Sequence, residues 1–281
     1  MTRPAPVQWD PQQYQRVAEH RLRPLRDLLA RIPALPGSPP RIADLGCGAG
    51  RPTMLLTERW PDARVHAFDS SPEMLAAAAR YAGPTPGGGH VDFAEADIRR
   101  WTPEGTYDLI LSSAALQWVP GHTACFPAWV DALAPGGVLA FQVPGNHASP
   151  SHTLLAEVCD RPRWRDRLAG RLRPIDPPPV LDPADYLTLL TGLGCEVDAW
   201  ESTYQHVLPG RDGVLEWMKG TGLRPVYTAL ADDPDALEAL LAEYREALRG
   251  AYPEGPEGAV VYPFRRVFAV ARRLPTGTAA A

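Results

Sequence analysis

The sequence predicts an α/β fold: a doubly wound, mostly parallel sheet of seven strands, with an N-terminal helix and helical cap insertions. Three observations carry that expectation. Short apolar runs alternate with helical patterns between residues 41 and 143, at the spacing of βαβ units. A glycine-rich turn follows the first of those runs, and hydroxyl or proline openings start the helices between them. A chain of 281 residues, 45% hydrophobic and 22% charged, is also long and apolar enough to bury a substantial core.

Taken in order, residues 11–31 read as a helix with Tyr14, Val17, Leu25, Leu28 and Leu29 along one stripe. The proline-rich run 33–40 cannot continue that helix and reads as a linker. Residues 41–45 form the first strand and 52–59 the helix behind it; 64–68 is the second strand, and Ser71-Pro72 opens the next helix with a hydroxyl cap and a proline at its first position. Strands at 90–93, 107–112 and 138–143 follow, the last reached through a helix at 124–133 and the turn Pro135-Gly136-Gly137. Helices are expected at 151–159, 184–193, 213–220 and 234–249, a long strand or two short ones at 195–208, and a final strand at 262–273. Residues 160–183 are an Arg/Pro-rich insertion whose run Arg163-Trp164-Arg165-Asp166-Arg167 reads as a solvated loop. The blocks this gives are 1–40 (a helix and linker serving as a lid), 41–150 (a ligand-binding core) and 151–281 (the rest of the sheet with cap and substrate insertions).

A net charge of −5 gives no concentrated basic face, so no nucleic-acid partner is expected. No apolar run approaches the ~20 residues of a membrane span, and the N-terminus lacks the apolar centre of a secretion signal, so a cytoplasmic protein is expected. Cys47, Cys125, Cys159 and Cys195 include no Cys-x-x-Cys pair, which argues against a disulfide framework or a zinc site; no metal is expected. Lys219 is the sole lysine and Pro numbers 32, which reads as a coding bias, so chemistry is sought only in particular arginines.

The informative segment is Ile42-Ala43-Asp44-Leu45-Gly46-Cys47-Gly48-Ala49-Gly50. Glycines at the first βα turn let the chain bend sharply and let a ligand approach the backbone. Asp69 ends the second strand, where a carboxylate can accept both hydroxyls of a ribose, and Asp97-Ile98 follow the third, placed to meet an adenine edge. Nicotinamide enzymes share such a loop and acid but use Gly-x-Gly-x-x-Gly, whereas here the spacing is Gly46-x-Gly48-x-Gly50 after Asp44.

That combination resembles the class I S-adenosylmethionine-dependent methyltransferases, which have a Rossmann-like sheet. The resemblance implies S-adenosylmethionine as cofactor and S-adenosylhomocysteine as product. Its binding residues would be Asp44, Gly46, Cys47, Gly48 and Gly50 around the methionine moiety, Asp69 with Ser70 at the ribose, Met74, Asp97 and Ile98 around the adenine, and Ser113. Further strings resemble the trans-aconitate 2-methyltransferases: Gln8-Trp9-Asp10-Pro11 with Tyr14, Leu116-Gln117-Trp118, Gly194-Cys195-Glu196-Val197-Asp198, Thr221-Gly222-Leu223-Arg224-Pro225 and Val270-Ala271-Arg272-Arg273. Residues 160–182 depart from that pattern, and His147 stands where it has Trp.

This second resemblance implies methyl transfer to a carboxylate of trans-aconitate or a similar small polycarboxylate, giving a monomethyl ester. A carboxylate is ionised at pH 7 and needs no general base, unlike a phenol or alcohol; alignment of oxygen, methyl and sulfur supplies much of the rate. Gln117 and Trp118, after the fourth strand, are the candidates beside the transferred methyl; each also reads as a core residue. Candidate acceptor-binding residues are Tyr14 and Arg21 on one helix face, Arg224 as a carboxylate clamp, His147, and Tyr262, with Arg265 and Arg266 beside it. Each has a plainer reading: a solvated or surface-paired Arg, a structural His, a strand that lines the sheet edge. Methyl transfer to another small acid, a malonyl thioester or a secondary metabolite is the alternative within this chemistry. A non-catalytic binding protein on the same fold would need a blocked loop or a missing ribose acid, and the sequence has neither.

Overall fold

The computed structural model describes residues 18–168 and 180–275. An eight-stranded sheet organises it, with β1 (Arg41–Leu45), β2 (Arg64–Asp69), β3 (Gly83–Pro84), β4 (His90–Glu95), β5 (Tyr107–Ser113), β6 (Leu133–Pro144), β7 (Cys195–Pro209) and β8 (Ala259–Arg273) in the spatial order β3-β4-β2-β1-β5-β6-β8-β7. The pairs β1–β2, β1–β5, β2–β4 and β5–β6 are parallel, while β3–β4 and β6–β8 are antiparallel. The expectation of seven strands is corrected to eight. The additional strand is Gly83–Pro84, too short to carry an apolar pattern, and it exists through pairing with His90 and Val91.

From β1 the chain winds outward through β2 to β4, then returns to lay β5 on the other side of β1. That reversal makes the crevice beyond the carboxyl ends of β1 and β5 the place where ligands of open α/β sheets bind. The central strands are buried almost throughout, as a sheet covered on both faces requires.

The helices are α1 (Ala18–Arg31), α2 (Met54–Arg59), α3 (Pro72–Ala78), α4 (Phe126–Asp131), α5 (Pro150–Cys159), α6 (Pro162–Leu168), α7 (Pro183–Gly192), α8 (Gly213–Lys219), α9 (Arg224–Ala229) and α10 (Pro234–Ala251). Several start as their sequence dictates. Ser71 caps α3 by accepting from Met74 N at 3.2 Å, with Pro72 next in line. Asp233 caps α10 by accepting from Ala236 N at 3.0 Å. The expected solvated loop at 163–167 is instead part of α6: Trp164 is buried and its indole N–H donates to Glu243 at 3.2 Å. Its arginines pair outward, Arg163 to Glu243, Arg165 to Asp160 and Arg167 to Asp233. Arg and Pro in the sequence hid a one-sided helix with a single aromatic anchor.

Two compact units share the described chain, one of 18–144, 180–202 and 266–275, the other of 145–168 and 203–265. The first, the sheet unit, has a core including Leu45, Ile110, Phe126, Trp129, Phe141, Tyr186 and Ala269. The second, the helical unit, has its own core, including Leu155, Trp164, Trp217, Met218, Tyr244 and Tyr262. Among the described residues no helix is long and apolar enough to cross a membrane.

Candidate active site

At the crevice of the sheet unit, three glycines turn the chain after β1: φ is +83° at Gly46, +57° at Gly48 and +80° at Gly50, in the left-handed region that L side chains rarely adopt. Their surroundings differ. A Cβ on Gly46 would collide with the Ala115 side chain in the turn after β5, so this glycine lets the two strand ends close on each other. A Cβ on Gly48 would meet nothing within 4 Å, so the loop's backbone is open to an approaching ligand there. Gly46 N and Cys47 N donate to Phe68 O at 2.8 and 3.0 Å, tying the loop to β2.

Two carboxylates flank this loop. Asp69, at the end of β2, accepts from Gly48 N at 2.9 Å through one oxygen and from Ser71 N at 3.0 Å through the other. Burial raises its pKa, and the N–H groups of Ser71, Gly48 and Ser70 pull it back down. Asp44 is fully buried and accepts from the Thr53 hydroxyl at 2.7 Å. Burial pushes its pKa up to about 6, with the Thr53 bond opposing and the charge of Asp69 adding to the rise. Thr53 escaped the sequence reading; its signal is a hydroxyl in the turn that leads into α2. The Cys47 thiol is pushed well above its usual range by burial and by the charges of Asp44 and Asp69, so it stays protonated.

Further along the same edge, Met74 is buried on α3, and Ile98 is buried within 3.5 Å of the Gly46 Cβ position. Asp97 is half-buried and held by Arg99, which donates through Nε at 3.0 Å and lowers its pKa. Ser70 is exposed. After β5, Ser113 Oγ accepts from Gln142 Nε2 at 2.8 Å, and Gln142 Oε1 accepts from Arg266 at 3.1 Å. Arg266 is therefore buried in the sheet. Ala114 is left-handed, with φ +57°, and turns the chain into the tight helical turn of 116–118. There Gln117 is buried and donates to Ala114 O at 2.7 Å, while Trp118 is half-buried. The structure thus gathers Asp44, the glycine loop, Asp69, Met74, Ile98, Ser113 and Gln117 at the strand ends of one unit.

The other candidates fall elsewhere. Tyr14 and the side chain of Arg21 lie outside the described residues. His147, Arg224, Tyr262 and Arg265 belong to the helical unit. Tyr262 is buried, with its hydroxyl 3.4 Å from Asn146 Nδ2 and 3.0 Å from Ser151 Oγ. His147 is half-buried and meets the His152 ring edge-on at 5.4 Å between centroids. Arg224 is the first residue of α9 rather than part of a free turn, with Pro225 following it. Arg265 donates to Gly145 O at 3.2 Å. Among the described residues no cluster of three or more His, Cys, Asp or Glu is placed to hold a metal ion.

Comparisons with known proteins bear on the family and the fold. A family model described as a methyltransferase domain matches residues 42–137, from β1 to the turn within β6. The solved structure of the YcgJ protein from Bacillus subtilis superposes with a TM-score of 0.56 at 13% identity, covering 92% of this chain and 99% of that one, a likeness of fold alone. A protein of Streptomyces avermitilis named trans-aconitate 2-methyltransferase is 63% identical over 94% of this chain and 97% of its own length. A namesake from Streptomyces coelicolor is 60% identical over 96% and 88%, and one from Rhodococcus jostii 46% identical over 94% and 99%. With sequence likeness running through both units, the chain belongs to the trans-aconitate 2-methyltransferase family.

Proposed function

We propose that this protein transfers the methyl group of S-adenosylmethionine to a carboxylate of trans-aconitate, forming a monomethyl ester and S-adenosylhomocysteine without a metal. The observation that carries the cofactor reading is the open backbone at Gly48, flanked by Asp69 and Asp44, at the crevice of a doubly wound sheet. The names and near full-length identity of the relatives carry the acceptor reading.

S-adenosylmethionine supplies an activated methyl group on a sulfonium. Around it, Gly46, Cys47, Gly48 and Gly50 offer close backbone approach, and Asp44 neutralises the cationic amino group of the methionine moiety. Asp69, with Ser70 beside it, accepts from the ribose hydroxyls through lone pairs left over by its bonds to Gly48 and Ser71. Met74, Asp97 and Ile98 frame the adenine. Ser113 and the turn holding Gln117 and Trp118 border the transferred methyl, Gln117 being fixed by its bond to Ala114. On the acceptor side, Arg224 serves as a carboxylate fork, His147 as a polar wall and Tyr262 as a support through its hydroxyl; Tyr14 and Arg21 are assigned to the same task from the sequence alone.

The acceptor carboxylate is already the nucleophile at neutral pH, so the residues orient it and withhold strong pairing from the attacking oxygen. The test is titration of the protein with S-adenosylmethionine and with NAD, followed by mass spectrometry of the trans-aconitate product. Binding of S-adenosylmethionine alone and a product heavier by one methylene confirm the reading; binding of NAD, or an unchanged acid, refutes it.

A further inference from the structure

Asp44 and Asp69 both lie at the crevice of the sheet unit, yet they are held in different ways. Asp69 draws on the backbone, with Gly48 N donating to one of its oxygens and Ser71 N to the other. For the Asp44 side chain, the one donor among the described residues is the Thr53 hydroxyl, 2.7 Å from Oδ2. This bond is shielded from competing water, since Thr53 is 0% and Asp44 3% exposed. A backbone donor comes with nearly any residue; a hydroxyl donor comes only with the right one.

Thr53 bonds Asp44 in place of its ordinary partners. It occupies the N-cap position of α2 with a helical backbone, φ −57° and ψ −32°, but its hydroxyl caps no amide. A threonine in helical conformation otherwise bonds a carbonyl of the preceding turn. Here the hydroxyl crosses to a carboxylate nine residues earlier, on a strand fixed by its pairing with Ala67 and Leu111. An ionised carboxylate only accepts, so the hydroxyl donates. A carboxylate taken out of water needs such a donor, or it takes up a proton. The neighbouring groups give no such support. The charge of Asp69, at the end of β2, raises the Asp44 pKa further, and Cys47 stays a neutral thiol. On α2, Glu58 is exposed and Arg59 donates to Ile32 O at 2.7 Å.

We propose that Thr53 is a positioning residue for the cofactor: its hydroxyl pins one oxygen of Asp44 and supports the negative charge, leaving the other oxygen for the cationic amino group of S-adenosylmethionine. The inference rests on the reading of this loop as the S-adenosylmethionine site. Thr53 is fully buried, so it acts through Asp44 and touches no ligand itself. Without the hydroxyl, the ionised form of Asp44 loses its donor, and the amino group must bind a carboxylate that holds its proton to higher pH.

The experiment titrates the wild type, Thr53→Val and Thr53→Ser by calorimetry from pH 5 to 8 with two ligands. S-adenosylhomocysteine carries the amino group and transfers nothing; methylthioadenosine lacks the whole amino-acid arm. Thr53→Val keeps the shape and loses the hydroxyl, and should move the acid limb of the S-adenosylhomocysteine profile up by about one pH unit. Its affinity is then roughly fivefold below the wild type at pH 6 and within about twofold at pH 8, where Asp44 is ionised in both. Thr53→Ser, which keeps the hydroxyl, should follow the wild type, and methylthioadenosine should bind all three proteins alike. The ligand's own amino group titrates in every arm and drops out of the ratio of variant to wild type. If Thr53→Val fails to fold, Thr53→Ala removes the same hydroxyl and carries the comparison. An unshifted profile, a loss equal at every pH, a matching loss for methylthioadenosine, or failure of both hydroxyl-free variants to fold would each overturn the assignment. A wild type that binds neither ligand removes the cofactor reading and this inference with it; a wild type that binds S-adenosylhomocysteine, with Thr53→Val indistinguishable from it, removes only the role of Thr53.

Discussion

At the carboxyl edge of β1 the polar groups on offer are backbone amides and two carboxylates, set by glycine turns and held by bonds to the chain itself. In the unit of 145–168 and 203–265 they are side chains: Asn146, Ser151, His152 and Tyr262, bonded to one another and drawn from helix, loop and strand. The first arrangement depends on spacing within one short segment. The second arrangement depends on residues more than a hundred positions apart, as Ser151 and Tyr262 are, brought together only by the fold.

The comparison breaks most sharply at the glycines. Gly46→Ala should lose about 3 kcal/mol of stability or more, because a left-handed φ and a clash with Ala115 act together. Gly48→Ala meets no protein atom, so it should cost only about 1–2 kcal/mol for its φ and yet weaken S-adenosylmethionine binding severely. Thermal melting alongside cofactor titration separates the two; equal behaviour would show that Gly48 does not border the ligand. Next in size, Asp69→Ala should raise KM for S-adenosylmethionine at least tenfold, since a hydrogen bond to a charged group contributes ~1.5–3 kcal/mol. Unchanged cofactor affinity would remove Asp69 from the ribose. Arg224→Lys, on the other side of the comparison, should raise KM for the acid roughly fivefold to tenfold through loss of the bidentate fork, with cofactor binding spared. Loss of both together would mark Arg224 as structural.

The smallest effect is a pH dependence. Asp44 carries a pKa raised to about 6 by burial, so its proton is bound more tightly in the folded than in the unfolded chain between pH 4 and 6. Its contribution to stability is therefore greatest in acid and declines as pH rises through 6. Cofactor binding runs the opposite way, since the charged carboxylate is the form that pairs with an amino group: affinity for S-adenosylmethionine should fall as pH drops below 6. Asp44→Asn should bind weakly at every pH and lose that dependence. A wild-type affinity flat from pH 5 to 8 would contradict the assignment.

Much of the sheet unit was legible from sequence because its signals are local. The strand at 41–45, the capped helix at Ser71-Pro72 and the acid ending β2 each declare themselves within a few residues. The helical unit was harder to read. Helix α6 was hidden by its arginines, whose partners Glu243 and Asp233 lie far along the chain, and α9 is a helix of six residues behind a turn-like Gly-Leu-Arg-Pro string. Asn146, Ser151 and His152 are chemically ordinary until the fold brings Tyr262 against them. Thr53 gained its role only when the turn before α2 placed its hydroxyl on Asp44.

The most direct test of the central claim is methyl transfer from labelled S-adenosylmethionine to trans-aconitate, with cis-aconitate, citrate and isocitrate assayed in parallel. The account predicts rapid esterification of trans-aconitate and much slower reaction of the other three. Cofactor binding without turnover of any of the four acids would contradict it.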